Sequence, residues 1–171
     1  MRKIILQLAV SLDGYIEGPN GEFDWCFTDQ DYGLKDFFKQ IDTLFMGRKT
    51  YELMLRMGDE ATAGFPKLKQ YIFSTTLNEA KEGIVISDNI QSEVQKIKKE
   101  KGKDIWLFGG GELTSSLMNL KLVDEIWLAV HPVILSSGKS TFPNLKERVN
   151  LKLLDTRTYS TGLVFLKYSV G

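Results

Sequence analysis

The chain has 171 residues, of which 43% are hydrophobic and 26% charged, as expected of a globular protein with one sizeable core. Its 22 Lys and Arg balance 22 Asp and Glu, so no net charge favours nucleic acid or anionic lipid as a partner. The only cysteine and the only histidine, Cys26 and His131, exclude an internal disulfide and a Cys/His metal cluster. No apolar run approaches the length of a membrane span. We therefore expect one cytoplasmic domain over residues 1–171, without a bound metal.

The first half of the chain alternates strands with helices. Apolar runs predict strands at Ile4–Val10, Thr43–Met46, Tyr71–Phe73 and Ile84–Ile86. Apolar residues spaced at i, i+3, i+4 and i+7 predict a helix over Leu34–Ile41, and a second helix runs from Arg48 to a closing Gly58. Asp29 and Asp31 precede the first helix, where each can cap it or present a carboxylate to a substrate.

The second half begins in the same way and ends in strands alone. Ile90, Val94 and Ile97 form the apolar stripe of a helix, and strand 105–108 leads into another helix. A long strand over Glu125–Leu135 contains Pro132, which predicts a sheet edge or a bulge. Two further strands, near 149–154 and 164–170, have no helix between them. This order predicts an α/β fold whose mostly parallel sheet gains antiparallel strands at its C-terminal end.

Three consecutive glycines, Gly109–Gly111, stand between a buried strand and a helix. A tight turn needs fewer glycines, whereas a phosphate cradle exploits the missing Cβ atoms and the N–H groups of the helix start. Thr114 replaces the last glycine of the Rossmann fingerprint, and no P-loop sequence follows. Gly47 opens a similar turn, whose Arg48 and Lys49 are either solvated cations or phosphate ligands. The pattern indicates a nucleotide without specifying the fold.

Aromatic residues mark a second candidate region. Phe23, Trp25 and Phe27 alternate in a polar loop, where they either anchor the loop to the core or line a pocket for a planar ligand. His131 is either a packed histidine or a general base.

Three stretches together resemble the dihydrofolate reductase-like superfamily: Leu8–Ile16, the segment Met46-Gly47-Arg48-Lys49-Thr50-Tyr51-Glu52, and Phe108–Gly111. Ser11–Gly14, Leu122–Glu125 and the later Pro132–Leu135 are similar to the branch that contains the reductase domain of bacterial riboflavin biosynthesis. The resemblance covers essentially the whole chain. It implies a three-layer fold, with helices on both faces of the sheet, and NADPH as cofactor.

The resemblance also assigns cofactor-binding residues. Ala9 and Ile16, with Gly14 between them, would meet the nicotinamide carboxamide, and Arg48 would hold the adenosine 2′-phosphate through its guanidinium. The remaining residues of this implied site are Gly47, Lys49, Thr50, Phe73, Ser74, Thr75, Phe108, Gly109, Gly110, Gly111, Glu112 and Leu113. Arg48 favours NADPH over NADH.

The substrate side is less complete. Folate reductases carry an acid in the first long helix and a supporting threonine, whereas the matching positions here are near Gly33-Leu34-Lys35 and at Ala129. The riboflavin branch has an acidic pair and a proline after its second strand, where this chain has Tyr51-Glu52-Leu53. Asp13 and Asp31 are the candidate catalytic acids. Trp25, Leu34 and Phe38 are the candidate substrate contacts.

The sequence therefore predicts an NADPH-dependent reductase of a small heterocycle, resembling 5-amino-6-(5-phosphoribosylamino)uracil reductase. The alternatives are a dihydrofolate or pteridine reductase, or a nucleotide-binding protein of the same fold without turnover. The family branch is compatible with a homodimer formed through the late strands.

Overall fold

A computed structural model describes residues 1–58 and 63–171, which form ten strands and four helices. The strands are β1 (Ile4–Ser11), β2 (Tyr15–Glu17), β3 (Ile41–Gly47), β4 (Lys69–Phe73), β5 (Ile84–Ile86), β6 (Asp104–Gly109), β7 (Glu125–His131), β8 (Lys139–Ser140), β9 (Leu151–Thr158) and β10 (Val164–Val170). The helices are α1 (Leu34–Phe38), α2 (Arg48–Met57), α3 (Ile90–Lys99) and α4 (Gly111–Asn119). None of the helices in these described ranges is both long and apolar enough to cross a lipid bilayer.

Eight strands form one twisted sheet in the order β5-β4-β3-β6-β1-β7-β10-β9. The first six are mutually parallel, and β10 pairs antiparallel with both β7 and β9. The predicted mostly parallel sheet with antiparallel C-terminal strands is therefore confirmed. A second, two-stranded sheet pairs β2 with β8, and we call this pair the flap.

Each face of the main sheet buries its own apolar cluster, because side chains alternate along every strand. On one face, Phe45 and Leu107 pack with the α4 residues Leu113 and Leu117 and with α3. On the other face, Trp106 packs with Phe37 of α1, and α2 contributes Tyr51 and Met54. The helices thus cover both faces, and the three-layer prediction is confirmed.

Two predicted elements need correction. The helix predicted over Leu34–Ile41 ends at Phe38, because Ile41 begins β3 and its apolar spacing from Leu34 reflects strand burial instead. The strand predicted over Glu125–Leu135 ends at His131, one residue before Pro132, and lies between β1 and β10. The proline therefore stops an internal strand and does not mark an edge.

The actual edge on this side of the sheet is β9, which begins at Leu151, two residues later than predicted, and continues to Thr158. Leu151, Leu153 and Leu154 of this strand are exposed. Dimerisation through the late strands stays a prediction.

Candidate functional site

A cavity of about 490 Å³ opens at the carboxyl ends of β3, β4 and β6. The chain leaves β3 into α2 on one face of the sheet and leaves β6 into α4 on the other face. Ligands of open α/β sheets bind where neighbouring strands connect in opposite directions in this way. The topology therefore identifies this edge as the candidate site.

Most of the predicted cofactor residues line the cavity. They are Gly47, Arg48, Lys49, Thr50, Phe73, Ser74, Thr75, Gly110, Gly111, Glu112 and Leu113. Ala9, Gly14, Ile16, Phe108 and Gly109 do not line it, although β1 and β6 end at the same edge of the sheet. Their contacts with a nicotinamide stay a prediction.

Two helices start at this cavity. Gly47 precedes α2 and Gly110 precedes α4, both in extended conformation and both without a side-chain cap for the first turn. The first N–H groups of each helix have no intrahelical acceptor, and the helix dipole adds positive potential. Two such N-termini facing one cavity are suited to anionic groups.

The glycines of these two turns differ in what a side chain at each would meet. A Cβ on Gly110 would stand 3.6 Å from Thr50 Oγ1, and one on Gly47 would stand 3.9 Å from Leu113 Cβ. Gly109 has φ of 110°, in the region that favours glycine. The three glycines thus serve different purposes: Gly109 adopts a conformation that favours glycine, Gly110 leaves an ordinary contact distance to Thr50, and Gly111 packs closely on Ser140, whose carbonyl oxygen is 2.6 Å from where its Cβ would stand.

Charged side chains at the cavity are mostly cationic. Arg48 Nη1 donates a hydrogen bond to Glu52 Oε1 at 2.7 Å, and both side chains are about 40% exposed, at 38% and 41%. Lys49 and Lys139 also line the cavity, and Glu112 is the carboxylate among the lining residues. The excess of cations favours an anionic ligand.

A hydroxyl-rich turn follows β4. Ser74 Oγ accepts hydrogen bonds from the N–H groups of Thr76 and Leu77, and Ser74 N donates to Ile86 O at 3.0 Å. Ser74 therefore shapes this turn, whereas Thr75 and Thr76 expose their side chains beside the cavity. This arrangement suits polar contacts to the sugar and phosphate of a nucleotide.

Sequence reasoning missed part of the lining. The missed residues are Thr76, Ile86, Ser87, Ile90, Ser116, Lys139, Ser140 and Pro143. The sequence could have placed Ile86 and Ile90 at the cavity, since they stand at the end of a predicted strand and the start of a predicted helix. It could not have placed Lys139 and Ser140 there, because a two-residue strand has no periodicity.

The candidate acid Asp13 connects the turn after β1 with the loop after β7. Its carboxylate accepts hydrogen bonds from Ser11 Oγ at 2.7 Å and from the N–H groups of Leu135 and Ser136. The Ser11 hydrogen bond, with smaller contributions from these N–H groups, lowers the pKa of Asp13. This direction is opposite to what proton donation near neutral pH requires.

The other candidate acid, Asp31, lies at the start of α1. Its carboxylate accepts the N–H groups of Gly33 and Lys35, at 3.1 and 3.0 Å, which is a capping interaction. Asp29 instead accepts the Tyr32 hydroxyl at 2.7 Å. A catalytic role for Asp31 stays a prediction.

The predicted substrate contacts fall into separate groups. Trp25 packs edge-on against His131, with ring centroids 5.3 Å apart. Phe38 packs against Phe65 and Trp106, at 5.5 and 5.7 Å. Leu34 is the half-buried first residue of α1. The sequence did not indicate that Phe65 packs against Phe38, because Phe65 stands alone between a glycine and a proline, outside any periodic segment.

His131 is a packed histidine with both ring nitrogens in use. Nδ1 lies 2.9 Å from Ala129 O, so it carries the proton, and Nε2 accepts the Phe27 N–H at 3.1 Å. Burial lowers the pKa of His131. The neutral ring is thus the folded form, and it fixes the loop that carries Trp25.

This arrangement predicts a pH dependence of stability. Because the folded pKa lies below the unfolded value of about 6.5, the contribution of His131 is present above that pH and is lost as pH falls through the folded pKa. We expect the free energy of unfolding, measured in urea, to fall more between pH 7.5 and 5.5 in the wild type than in His131→Gln. Equal falls in both proteins would contradict this.

Comparisons with known proteins agree with this architecture. Residues 2–165 match the family described as the RibD C-terminal domain. YyaP, an uncharacterized protein of Bacillus subtilis, is 49% identical over 177 residues, which cover 98% of this chain and 94% of YyaP.

Two solved structures share the fold. One is a candidate riboflavin biosynthesis protein from Shewanella sp. PV-4, with a TM-score of 0.85, 21% identity and 99% of each chain covered. The other is dihydrofolate reductase from Enterococcus faecalis in complex with NADP(H), with a TM-score of 0.71 and 18% identity, covering 99% of this chain and 96% of that one. The match over nearly all of the sequence, together with the shared three-layer fold, shows that the chain belongs to the RibD C-terminal domain family.

Proposed function

We propose that this protein is an NADPH-dependent reductase of a small polar heterocycle, of the same type as the ribosylaminopyrimidine reductase of riboflavin biosynthesis. The observation that carries the proposal is the cavity between the starts of α2 and α4, with a glycine cradle and cations at its edge. Membership of the RibD C-terminal domain family supports it. The complex of the E. faecalis enzyme with NADP(H) supports the class of cofactor.

The residues present fit a dinucleotide. Two uncapped helix starts provide N–H donors for a pyrophosphate, and a Cβ on Gly110 would lie between them, 3.6 Å from Thr50 Oγ1. Ile86, Ile90 and Leu113 give the cavity an apolar part that suits a purine ring. A nicotinamide cofactor supplies the hydride, and the protein binds and orients it and excludes water.

Arg48 is the basis for preferring NADPH. It is the first residue of α2, and within residues 1–58 and 63–171 its hydrogen bond to Glu52 uses only one of the five N–H donors of its guanidinium. The remaining donors suit the oxygens of a 2′-phosphate, which NADH lacks. Lys49 adds a second cation beside the same turn.

On the substrate side, we propose that a flat heterocycle binds near Trp25, Leu34 and Phe38. Asp13 and Asp31 stay the candidate acids, and the lowered pKa of Asp13 favours a role in anchoring loops. Because both carboxylates accept backbone N–H groups, nucleotide binding without turnover is the second candidate function. Turnover of NADPH on a panel of pteridines, ribosylaminopyrimidines and carbonyl compounds separates the two.

Nucleotide titration tests the site itself. We expect micromolar NADPH binding, measured by energy transfer from Trp25, Trp106 and Trp127 to the bound nucleotide. Gly110→Ala should weaken binding by about tenfold while leaving the free energy of unfolding unchanged, since its Cβ would meet only Thr50 Oγ1, at an ordinary 3.6 Å. Absence of binding to NADPH and NADH would refute the proposed function, and unaltered binding by Gly110→Ala would refute the cradle.

A further inference from the structure

The flap contributes a cation to the candidate site that the sequence did not reveal. Lys139 of β8 lines the cavity together with Ser140 and Pro143. The next residue, Ser140, has its carbonyl oxygen 2.6 Å from where a Cβ on Gly111 would stand. Lys139 is therefore one residue away from the backbone that packs directly on the start of α4.

Lys139 makes a weak and exchangeable ion pair. Its Nζ donates to Glu17 Oε2 at 2.7 Å, and the side chains are 44% and 24% exposed, respectively. An ion pair with this exposure contributes little to stability. A lysine has a flexible four-carbon stem and a compact charge, so its ammonium can change partners without moving the backbone.

We propose that Lys139 binds the pyrophosphate of the nucleotide, exchanging the Glu17 carboxylate for a phosphate oxygen. This inference rests on the proposed function and identifies a further binding residue of the same site. Arg48 lies at the α2 side of the cavity, where it is assigned to the 2′-phosphate, whereas Lys139 approaches from the α4 side. A dianionic pyrophosphate attracts the ammonium more strongly than one carboxylate does.

A purely structural role for Lys139 would be to fasten β8 to β2. Other hydrogen bonds also hold the flap in place, however, since Thr141 donates to Gly14 O through its N–H at 3.0 Å and through Oγ1 at 2.8 Å. The backbone pairing of β2 with β8 adds to these bonds. The flap therefore keeps its position when Lys139 changes partner.

The two roles predict opposite effects of removing Glu17. If Lys139 binds pyrophosphate, Lys139→Met weakens NADPH and NADH by the same factor, about three- to tenfold, because both nucleotides carry the pyrophosphate. Glu17→Gln then tightens both by about two- to threefold, because it removes the competing carboxylate. Lys96→Met is the matched control: it breaks a 2.6 Å pair with Glu93 on α3, outside the cavity, and should change neither affinity.

The experiment measures dissociation constants of NADPH and NADH for the wild type and the three variants at low and moderate salt. Weaker binding by both Lys139→Met and Glu17→Gln would overturn the inference, since it would mean that the pair only fastens the flap. A loss confined to NADPH would also overturn it, because the contact would then be to the 2′-phosphate. If the wild type binds neither nucleotide, the proposed function fails and the inference fails with it.

Discussion

Replacing Arg48 by Ala is expected to weaken NADPH binding by about 10- to 100-fold and to leave NADH binding within about threefold of the wild type. The guanidinium lies at the start of α2, on the edge of the cavity, and among the described residues it bonds only to Glu52, through one of its five N–H donors. Of the two nucleotides, only NADPH carries the 2′-phosphate that would accept hydrogen bonds from the other donors. The loss of affinity should therefore fall on NADPH. Tryptophan energy transfer measured with both nucleotides gives the two affinities.

Arg56→Ala is the matched control for this prediction. Arg56 stands in the last turn of the same helix and does not line the cavity. Its removal changes the net charge equally, so it reports any general electrostatic effect on a polyanionic ligand. Equal losses for NADPH and NADH in Arg48→Ala would remove the 2′-phosphate assignment, even if both losses were large.

The second large effect is expected from Gly111→Val, which should abolish measurable nucleotide binding and reduce the free energy of unfolding by about 1–3 kcal/mol. The new Cβ would stand 2.6 Å from Ser140 O and 3.0 Å from Pro143 Cδ. The first of these neighbours is backbone, so residues 140–143 have to move away from the start of α4. That movement deforms the cavity on the side that holds the glycine turn.

Intrinsic helix propensity cannot explain such a loss, because valine is a better helix former than glycine. Urea unfolding and NADPH titration of Gly111→Val should therefore be compared with those of Gly110→Ala, which is expected to bind more weakly but to keep its stability. A Gly111→Val variant with wild-type stability would show that the contact between Ser140 and α4 is not maintained in solution.

The sequence predicted the sheet well, and it located the two turns in which a strand runs through glycine into a helix, because both depend on local patterns. Apolar runs mark β1, β3 and β6, and glycine directly after a strand marks each helix start. In each case the strand, the glycine and the helix start lie within about ten residues of one another along the chain. The helix starts and turns that line the cavity could therefore be located before the fold was known.

The flap and the substrate side could not be predicted in the same way. Tyr15 pairs with Ser140 across more than half of the chain, and neither β2 nor β8 is long enough to show alternation. Ile41 lay at a helical spacing from Leu34 only because a strand begins there, and Pro132 follows a strand that it was expected to interrupt. Whether Asp13 is a proton donor depends on its hydrogen-bond partners, Leu135 and Ser136, which are distant in the sequence.

The placement of α2 and α4 on opposite faces of the sheet has a consequence for folding. The start of α2 is held by the apolar cluster around Trp106, and the start of α4 by the cluster around Phe45 and Leu117. A partly folded chain with only one of these layers assembled would present only one helix start and would bind weakly. The proposed nucleotide binding would therefore stabilise the fully assembled three-layer fold selectively, and the affinity for the nucleotide would report on the integrity of both apolar clusters at once.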